Sequence, residues 1–322
     1  MNTRKLGRSP IETPPLVLGG NVFGWTVDDP AAFRILDAFV DAGFNCIDTA
    51  DVYGKWVPGR SGGESEAMIG RWLKLRGNRS RVCIFTKVGM DMGGRKGLAR
   101  ARIFQAVDES LARLHTDYID LYQSHVDDAD TPLEETLGAH ANLIKQGKVR
   151  AIGASNYKAD RFAAALELSK KSGLPRYESL QPDYSLVERQ EYEGTLETLC
   201  VKESVGVINY WPLASGFLTG KYRSEKDLKK SPRGLGVKKY MNERGFRILA
   251  ALDEVAKSKS ATVAQVALAW CTARPGITAP IASARNVEQL NELMASANVQ
   301  LDHASVALLD RASAGSEAAA AP

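Results

Sequence analysis

The sequence predicts an α/β fold, a (β/α)8 TIM barrel with an N-terminal hairpin and extra C-terminal helices. Short apolar runs rich in β-branched residues alternate with amphipathic helical stretches along the chain. Such alternation indicates parallel strands joined by right-handed helical crossovers. Eight such units within roughly 300 residues favour a closed barrel over an open sheet. No GxGxxG follows the first strand, which argues against a Rossmann domain.

The predicted strands are short runs that end in polar residues. They cover residues 16–18, 45–47, 82–85, 118–122, 149–152, 178–180, 205–209 and 277–281. The helices between them have apolar residues at helical spacing. They cover residues 31–42, 64–75, 98–114, 133–146, 159–171, 190–203, 246–273, with a break near Ser260, and 287–295.

The rest of the chain fits one domain, residues 1–322. Residues 1–15 carry a turn at Leu6-Gly7-Arg8-Ser9 and are predicted to form a hairpin over the bottom of the barrel. Residues 223–243 are charged, contain Gly and Pro, and lack periodicity, so we predict a long loop there. Residues 312–322 are predicted to be a flexible tail.

Composition excludes several classes of function. The 322 residues are 44% hydrophobic and 25% charged, with a net charge of +4 whose basic residues are interspersed with acidic ones. A nucleic-acid-binding protein would need a clustered basic face, so we expect no such partner. The sequence contains no run of about 18 apolar residues, so we expect no membrane partner. The four cysteines lie far apart without metal-ligand spacing, so we expect no metal, free thiols and a cytoplasmic location.

Ionisable side chains follow successive predicted strands. Asp48 and Tyr53 follow the second strand, Lys87 the third and His125 the fourth. Each has an ordinary explanation: a helix cap, a turn aromatic, a surface lysine and a structural histidine. In a barrel, however, all strand ends of one kind meet on one face, where the chemistry of this fold takes place. The joint occurrence therefore favours a catalytic group.

Together these four residues predict a proton-transfer site. A tyrosine has a pKa of about 10, and a nearby ammonium group lowers it toward the working range. Asp48 would hold Lys87 charged, and His125 would orient or polarise a carbonyl. Because no acyl-transfer nucleophile or metal cage accompanies them, the most natural chemistry is carbonyl reduction by a hydride from a cofactor. Asp51 is interpreted as a loop or capping residue, outside the catalytic set.

Five segments resemble the aldo-keto reductases in order and spacing, from Leu16 to about Leu293. They are DAGFNCIDTADVYG, IFTKVG, DYIDLYQSHVDD, GKVRAIGASNY and PLASGFLTGKY. The resemblance implies a (β/α)8 barrel, a nicotinamide cofactor that is usually NADPH, and no metal. It makes Tyr53 the general acid, with Lys87 and Asp48 tuning it and His125 orienting the carbonyl of a small aldehyde, ketone or alcohol substrate.

The resemblance also implies a set of cofactor-binding residues. Ser155, Asn156 and Gln181 match residues that bind the nicotinamide carboxamide, and Tyr210 matches the stacking aromatic. The remaining positions are Gly20, Asn21, Asp48, Trp211, Pro212, Leu213, Ser215, Gly216, Leu218, Lys221, Arg233, Ser283, Arg285, Gln289 and Glu292. The chain departs from the family pattern at three positions: Trp211 replaces a small polar residue, Ser283 a glycine and Leu293 an asparagine.

Charge favours NADPH over NADH. The stretch from residue 221 to residue 244 carries nine basic residues: Lys221, Arg223, Lys226, Lys229, Lys230, Arg233, Lys238, Lys239 and Arg244. Such a run is commonly a solvated loop. The alternative is a cationic flap over the pyrophosphate, with Arg285 on the 2′-phosphate, because Arg is the usual phosphate reader. For the substrate, Trp25 and Trp56, with Tyr53 and His125, predict an aromatic pocket.

Two alternative functions stay open. A sugar or polyol dehydrogenase using NAD(P) would need the same four residues. A cofactor-bound regulatory subunit related to the potassium-channel β subunits would differ in having an apolar surface patch or an assembly segment, and the sequence shows neither. The sequence does not determine the oligomeric state or the physiological substrate.

Overall fold

The computed structural model describes residues 2–231 and 234–315, and within them the predicted barrel is confirmed. Eight parallel strands follow one another around the sheet in the order β10-β3-β4-β5-β6-β7-β8-β9. They are β3 (Val17–Gly19), β4 (Cys46–Asp48), β5 (Cys83–Val88), β6 (Ile119–Ser124), β7 (Val149–Ser155), β8 (Tyr177–Gln181), β9 (Gly206–Val207) and β10 (Ile281–Ala282).

Backbone hydrogen bonds join the two ends of the sheet. On one side, β10 pairs with β3 in the register Ile281 to Val17. On the other, the amide of Thr278 donates to the carbonyl of Val207 at 2.7 Å, and the amide of Ile281 donates to the carbonyl of Asn209 at 2.9 Å. The segment around β10 therefore bonds to both the first and the last strand of the series, and all strands deliver their carboxyl ends to one face.

The helices lie outside the sheet and turn their apolar stripes toward it. They are α1 (Asp29–Asp41), α2 (Glu64–Arg76), α3 (Arg100–Leu114), α4 (Leu133–Lys145), α5 (Ala159–Ser172), α6 (Thr195–Lys202), α7 (Gly234–Val237), α8 (Glu243–Lys259), α9 (Val263–Ala273), α10 (Val287–Met294) and α11 (His303–Ser313). Local signals set their ends. Asp28 caps α1 by accepting from the amide of Ala31 at 3.0 Å. The predicted break is confirmed, because Ser260 takes a left-handed conformation between α8 and α9.

The N-terminal hairpin closes the end of the barrel opposite the strand carboxyl ends. Strand β1 (Arg4–Lys5) pairs antiparallel with β2 (Glu12–Thr13), as predicted. Leu6 and Ile11 pack against inward-facing residues of the strands, including Val17 and Phe85. This apolar plug leaves the opposite end as the side where a ligand can enter.

Three predicted boundaries were wrong. Helix α6 begins at Thr195 rather than 190, because Gly194, with a φ of 90°, breaks the backbone before it. The loop 223–243 contains 3₁₀ segments at Glu225–Lys230 and Lys238–Tyr240 besides α7. The tail was predicted to start at residue 312, but residues 312 and 313 are buried at the end of α11. Residues 316–322 of that tail lie outside the described part of the chain.

In the described ranges, no helix has the length and apolar character needed to cross a membrane.

Candidate active site

Asp48 and Lys87 form an ion pair inside the open end of the barrel. Asp48 is the last residue of β4, and Lys87 is the penultimate residue of the neighbouring strand β5. Lys87 is completely buried, and its Nζ lies 2.6 Å from Asp48 Oδ2 and 2.7 Å from the carbonyl oxygen of Thr49. Burial opposes the charge of Lys87, but the Asp48 carboxylate and the Tyr53 hydroxyl outweigh it and raise its pKa. The lysine is therefore held as an ammonium.

Tyr53 completes the coordination of this ammonium. A turn after β4 carries Tyr53 back over the barrel, and Lys87 Nζ donates to its hydroxyl at 3.0 Å. As expected, the lysine acts to lower the tyrosine pKa, but it does not set the net shift. Burial raises the pKa of Tyr53, and the nearby Asp48 adds to it, so the opposing effect of Lys87 is exceeded. The phenol is thus protonated throughout the neutral range.

His125 follows β6 directly and faces Tyr53. The two ring centroids are 6.1 Å apart. Burial and the charge of Lys87 hold the pKa of His125 well below its usual range, so the imidazole is neutral. Its Nδ1 is buried and has no hydrogen-bond partner among the residues that the structure describes. A neutral ring with an unsatisfied nitrogen is suited to hydrogen bonding with a ligand.

The second carboxylate oxygen of Asp48 is bound by two amide side chains. Gln181 Nε2, from the end of β8, donates to Asp48 Oδ1 at 3.0 Å, and Gln123 Nε2, from β6, donates to it at 3.3 Å. Gln181 also donates to Gln123 Oε1 at 3.2 Å. Gln123 was not among the predicted site residues. Its only sequence signal is its position two residues before His125.

Three further predicted residues form a chain of hydrogen bonds beside His125. Tyr210 Oη donates to Asn156 Oδ1 at 2.8 Å, and Asn156 Nδ2 donates to the His125 carbonyl at 2.9 Å. Ser155 Oγ donates to the carbonyl of Gln181 at 2.8 Å. Asn156 has a φ of 57°, a conformation that asparagine tolerates better than most residues. The amide and the phenol are thus held next to the four ionisable residues.

Most of these groups line one cavity of about 840 Å³, and Lys87 and Gln123 are buried next to it. That volume lies within the roughly 300–1,000 Å³ typical of ligand sites. Most predicted site residues line it: Asn21, Trp25, Asp48, Tyr53, Trp56, His125, Ser155, Asn156, Gln181, Tyr210, Trp211, Pro212, Leu213, Ser215, Gly216, Lys221, Ser283, Arg285, Gln289 and Glu292. The cavity therefore extends from the tetrad formed by Asp48, Tyr53, Lys87 and His125 to helix α10.

Comparisons with known proteins agree with this arrangement. The model of the Aldo/keto reductase family matches residues 15–314. The protein belongs to this family. Similar relatives include the aldo-keto reductase AFTS1 of Alternaria alternata, 33% identical over 93% of this chain and 88% of its own. Another is the uncharacterized oxidoreductase YrpG of Bacillus subtilis, 33% identical over 92% and 91%. A probable voltage-gated potassium channel subunit beta of Arabidopsis thaliana is 31% identical over 93% and 92%.

Membership makes this chain an oxidoreductase of the carbonyl-reducing type, with a nicotinamide cofactor and a small-molecule substrate. The residues present fit such a cofactor, since the cavity is long, contains the unsatisfied His125 Nδ1 and carries polar groups along its length. No cluster of His, Cys, Asp or Glu that could hold a metal ion occurs among the residues that the structure describes.

A few predicted site residues do not line the cavity of this aldo-keto reductase. Lys87 is completely buried, and it is linked to the cavity through its hydrogen bonds to Asp48 and Tyr53, which line it. Leu218 is fully buried in the core instead. Gly20 lies behind the surface: a Cβ there would come within 2.8 Å of Ser65 Oγ and 3.1 Å of the Asp48 carbonyl. Its role is to let two chain segments approach each other. Arg233 falls outside the described residues.

Small and apolar residues complete the lining and were missed. They are Gly19, Val22, Thr26, Thr219, Ser231, Gly236, Ala264, Ile281 and Ala282, whereas Leu293, which was noted as a departure from the family pattern, also lines the cavity. Several precede or follow a predicted residue, which was the available signal; Ala264, on a separate helix, had none. Gly19 packs against Ser283, whose Oγ would lie 2.7 Å from a Cβ there. That hydroxyl donates to Asn21 Oδ1 at 2.7 Å, which explains how a serine fits where the family has glycine.

Most of the basic loop is paired with the protein rather than directed at the cavity. Arg223 binds Asp253 at 2.7 Å, and Lys239 binds Glu188 at 3.0 Å. Arg244 donates to backbone carbonyls, including that of Ser313 at 2.6 Å. Of the predicted basic residues that the structure describes, Lys221 and Arg285 line the cavity. Among the predicted basic residues, these two side chains are therefore the candidates for contacting a phosphate group in the cavity.

Aromatic rings form the mouth of the cavity at the Tyr53 end. Trp56 packs edge-on against Tyr53, with centroids 5.8 Å apart, and Trp25 packs against Trp56 at 5.9 Å. Trp211, with a left-handed φ of 54°, stands edge-on to Tyr210 at 5.5 Å. Both Trp56 and Trp211 are exposed. The three tryptophans make the entrance apolar and flat-walled.

Proposed function

We propose that the protein reduces aldehyde or ketone carbonyls to alcohols with NADPH, and that Tyr53 is the general acid. One observation carries the proposal: the Tyr53 hydroxyl lies 3.0 Å from the buried ammonium of Lys87, at the base of the cavity and next to His125. A phenol is an acid of the right type for a carbonyl oxygen that becomes an alkoxide. The bound NADPH would supply the hydride.

Lys87 favours proton donation by Tyr53 during the reaction. As the phenol gives up its proton, negative charge develops on an oxygen that already accepts a hydrogen bond from an ammonium group. That interaction is stronger with phenolate than with phenol, so it stabilises the transition state more than the ground state. Asp48 keeps Lys87 charged and fixed, while Gln123 and Gln181 orient Asp48 through its other oxygen.

His125 would orient the substrate as a neutral imidazole. Its low pKa excludes a role as a proton reservoir at neutral pH. A neutral ring can donate one hydrogen bond to the carbonyl oxygen while adding no positive charge close to Lys87. Together with Tyr53 it would therefore place two donors on the same oxygen.

The cofactor would extend from the tetrad toward helix α10. Ser155, Asn156 and Gln181 provide amide and hydroxyl groups for the carboxamide, and Tyr210 provides a ring for the nicotinamide. Lys221 and Arg285 are suited to phosphate groups, which favours NADPH over NADH. The segment 211–216, which includes left-handed residues at Trp211 and Ser215, would hold the pyrophosphate. Ser283, Gln289 and Glu292 would face the adenosine half.

We also propose that the protein works in the cytoplasm as one domain, residues 1–322. Support for the compartment comes from the thiols: Cys46, Cys200 and Cys271 are buried and free, a state that is typical of a reducing environment.

The test has two arms: aromatic aldehydes and dicarbonyls are incubated with NADPH or NADH and the consumption of reduced nicotinamide is measured, and sugars are incubated with the oxidised cofactors NADP or NAD and the formation of reduced nicotinamide is measured. We expect turnover of aldehydes or dicarbonyls with NADPH, and a loss of kcat of roughly 10²–10⁴-fold in Tyr53→Phe. Tyr192→Phe is the matched control, because it removes another buried phenol hydroxyl that is not in the cavity. Full activity of Tyr53→Phe would refute the assigned acid. Faster oxidation of sugars with NAD would favour the dehydrogenase. Cofactor binding without turnover would favour a regulatory role like that named for the Arabidopsis relative.

A further inference from the structure

A second cluster of buried charges lies outside the cavity, against the elements that carry Tyr53 and Lys87. It consists of Asp51, Glu66, Arg102 and Arg113, and none of the four lines the cavity. Arg102 Nη2 lies 3.0 Å from Asp51 Oδ2, and Arg113 Nε lies 2.7 Å from Glu66 Oε2. The two carboxylates are at most 1% exposed. Asp51 lies in the turn after β4, as the loop interpretation expected, and its side chain binds Arg102 of α3.

Each carboxylate of the cluster is tied to an element of the proposed active site. Asp51 stands two residues before Tyr53 on the same turn, and its amide donates to the carbonyl of Lys87 at 3.3 Å. Glu66 accepts from Thr86 Oγ1 at 2.5 Å, and Thr86 directly precedes Lys87 on β5. The cluster therefore joins the Tyr53 turn, the Lys87 strand and α3 at one place.

Polar atoms in this cluster are incompletely satisfied. Asp51 Oδ1, Nε and Nη1 of Arg102, and the nearby Tyr122 Oη are buried without hydrogen-bond partners in residues 2–231 and 234–315. Burial and the neighbouring Glu66 raise the pKa of Asp51 to about 7 against the opposing effect of Arg102. A buried carboxylate in these surroundings costs stability when it is ionised. Such costs are found preferentially at functional sites.

We propose that Asp51 is a positioning residue for Tyr53: its ion pair with Arg102 fixes the turn 50–53 so that the Tyr53 hydroxyl stays within hydrogen-bonding distance of Lys87. The inference rests on the proposed reductase function. The backbone of Tyr53 makes two hydrogen bonds, from its amide to the Ala50 carbonyl at 3.2 Å and from the Gly63 amide to its carbonyl at 3.1 Å, and both lie within the same loop region. The Asp51 side chain adds the link between this turn and the outer helix layer.

The charge of Asp51 depends on groups from three elements. Glu66 faces it from α2, Arg102 and Arg113 from α3, and Tyr122 from β6. Because the pKa is raised in the folded protein, the folded state binds more protons than the unfolded state between the usual carboxyl pKa near 4 and about 7. Stability from this residue is therefore present at low pH and is lost as the pH rises through about 7. As Asp51 ionises, by contrast, its hydrogen bond from Arg102 becomes a charged ion pair.

The test compares Asp51→Asn with Asp120→Asn in the full chain. Both variants replace a carboxylate that is 1% exposed and paired with arginine by a neutral amide. They differ in position, because Asp120 is near the start of β6, away from the cavity. At pH 8 we expect kcat of Asp51→Asn to fall roughly ten- to a hundredfold with KM changed by less than about twofold, as for a misplaced acid. Its melting temperature relative to the parent should increase as the pH is raised from 5 to 9. Asp120→Asn should lose stability and retain kcat.

The outcomes separate positioning from simple structural support. If Asp51→Asn keeps kcat within twofold of the parent, or if its stability and kcat fall together as the pH rises, the proposal is wrong. Should this variant fail to fold, two other measurements decide. The proposal requires that Arg102→Gln lose kcat to a comparable extent, and that kcat of the parent protein fall below pH 7. The absence of these losses overturns it. A parent without reductase activity would instead refute the proposed function.

Discussion

The two ends of the barrel both contain a buried carboxylate on a strand, and they bind it in different ways. Near the closed end, Asp120 accepts from Arg79 at 2.7 Å, from Arg150 at 2.9 Å and from the amide of Ile84 at 2.9 Å. The two guanidinium groups also lie over the ring of Tyr118, 3.8 and 3.9 Å from its centroid. Both cations there are occupied by protein groups, so this cluster stabilises the fold.

At the open end, Asp48 is equally buried, but its cationic partner Lys87 also binds a group that lines the cavity. Lys87 binds Asp48 at 2.6 Å, and its third hydrogen bond goes to the hydroxyl of Tyr53, which lines the cavity. Next to it, His125 Nδ1 has no hydrogen-bond partner in the described part of the chain. The difference suggests two purposes for one type of pair: the network at the closed end ends on protein groups and stabilises the fold, and the network at the open end ends on a cavity group and would, under the proposed mechanism, act on the substrate.

The strongest test of this comparison is Lys87→Met. It removes the ammonium that stabilises phenolate and leaves Asp48 buried without its cation. We expect kcat to fall by at least about 10³-fold, about 4 kcal/mol of transition-state stabilisation. The measurement is steady-state reduction by the folded fraction, quantified by circular dichroism. A variant within tenfold of the parent rate would show that the open-end network does not act on the reaction.

The corresponding change at the closed end is Asp120→Asn. Two guanidinium groups would lose their charged acceptor, so the free energy of unfolding should fall by about 3 kcal/mol. Because Asp120 lies away from the cavity, kcat and KM should stay within about twofold of the parent. Urea unfolding and the aldehyde assay measure the two quantities on one preparation. A large loss of kcat without a loss of stability would contradict the division between the ends.

The pattern of the sequence predicted the strands, the helices and the tetrad for a simple physical reason. Hydrophobic periodicity reports which face of an element is buried, and parallel strands bring their carboxyl ends to one face. Asp48, Tyr53, Lys87 and His125 could therefore be grouped without knowing any distance. Their arrangement in the structure agrees with that grouping: Lys87 touches both Asp48 and Tyr53.

Features that depend on register and on side-chain direction could not be predicted. Gln123 reaches Asp48 across 75 residues of sequence, and Arg102 reaches Asp51 across 51, from helices and strands whose rotation the sequence does not specify. The sign of the Tyr53 pKa shift also required the degree of burial, which outweighs the lysine. The 3₁₀ segments within residues 223–243 are too short to show a period.

A smaller effect is expected where the open end extends to the cofactor. Arg285 is exposed and lines the cavity, so its charge would contact a phosphate in partly solvated surroundings. We expect Arg285→Ala to raise KM for NADPH about tenfold and to leave KM for NADH unchanged, in line with the loss of one charged hydrogen bond. Lys226→Ala, an exposed change in the basic loop, is the control. An equal effect on both cofactors would argue against a contact with the 2′-phosphate.

The smallest effect on stability and activity is expected for an exposed ion pair that is as short as the buried pair of Lys87 and Asp48. Lys158 lies 2.5 Å from Glu191, but the two side chains are 74% and 67% exposed. Water solvates both charges when the pair is broken, so Lys158→Ala should change the free energy of unfolding by less than about 0.5 kcal/mol and leave kcat unchanged. Urea unfolding at low and moderate salt measures this. A loss comparable to that of Asp120→Asn would mean that distance, rather than burial, determines what a charge pair contributes in this barrel.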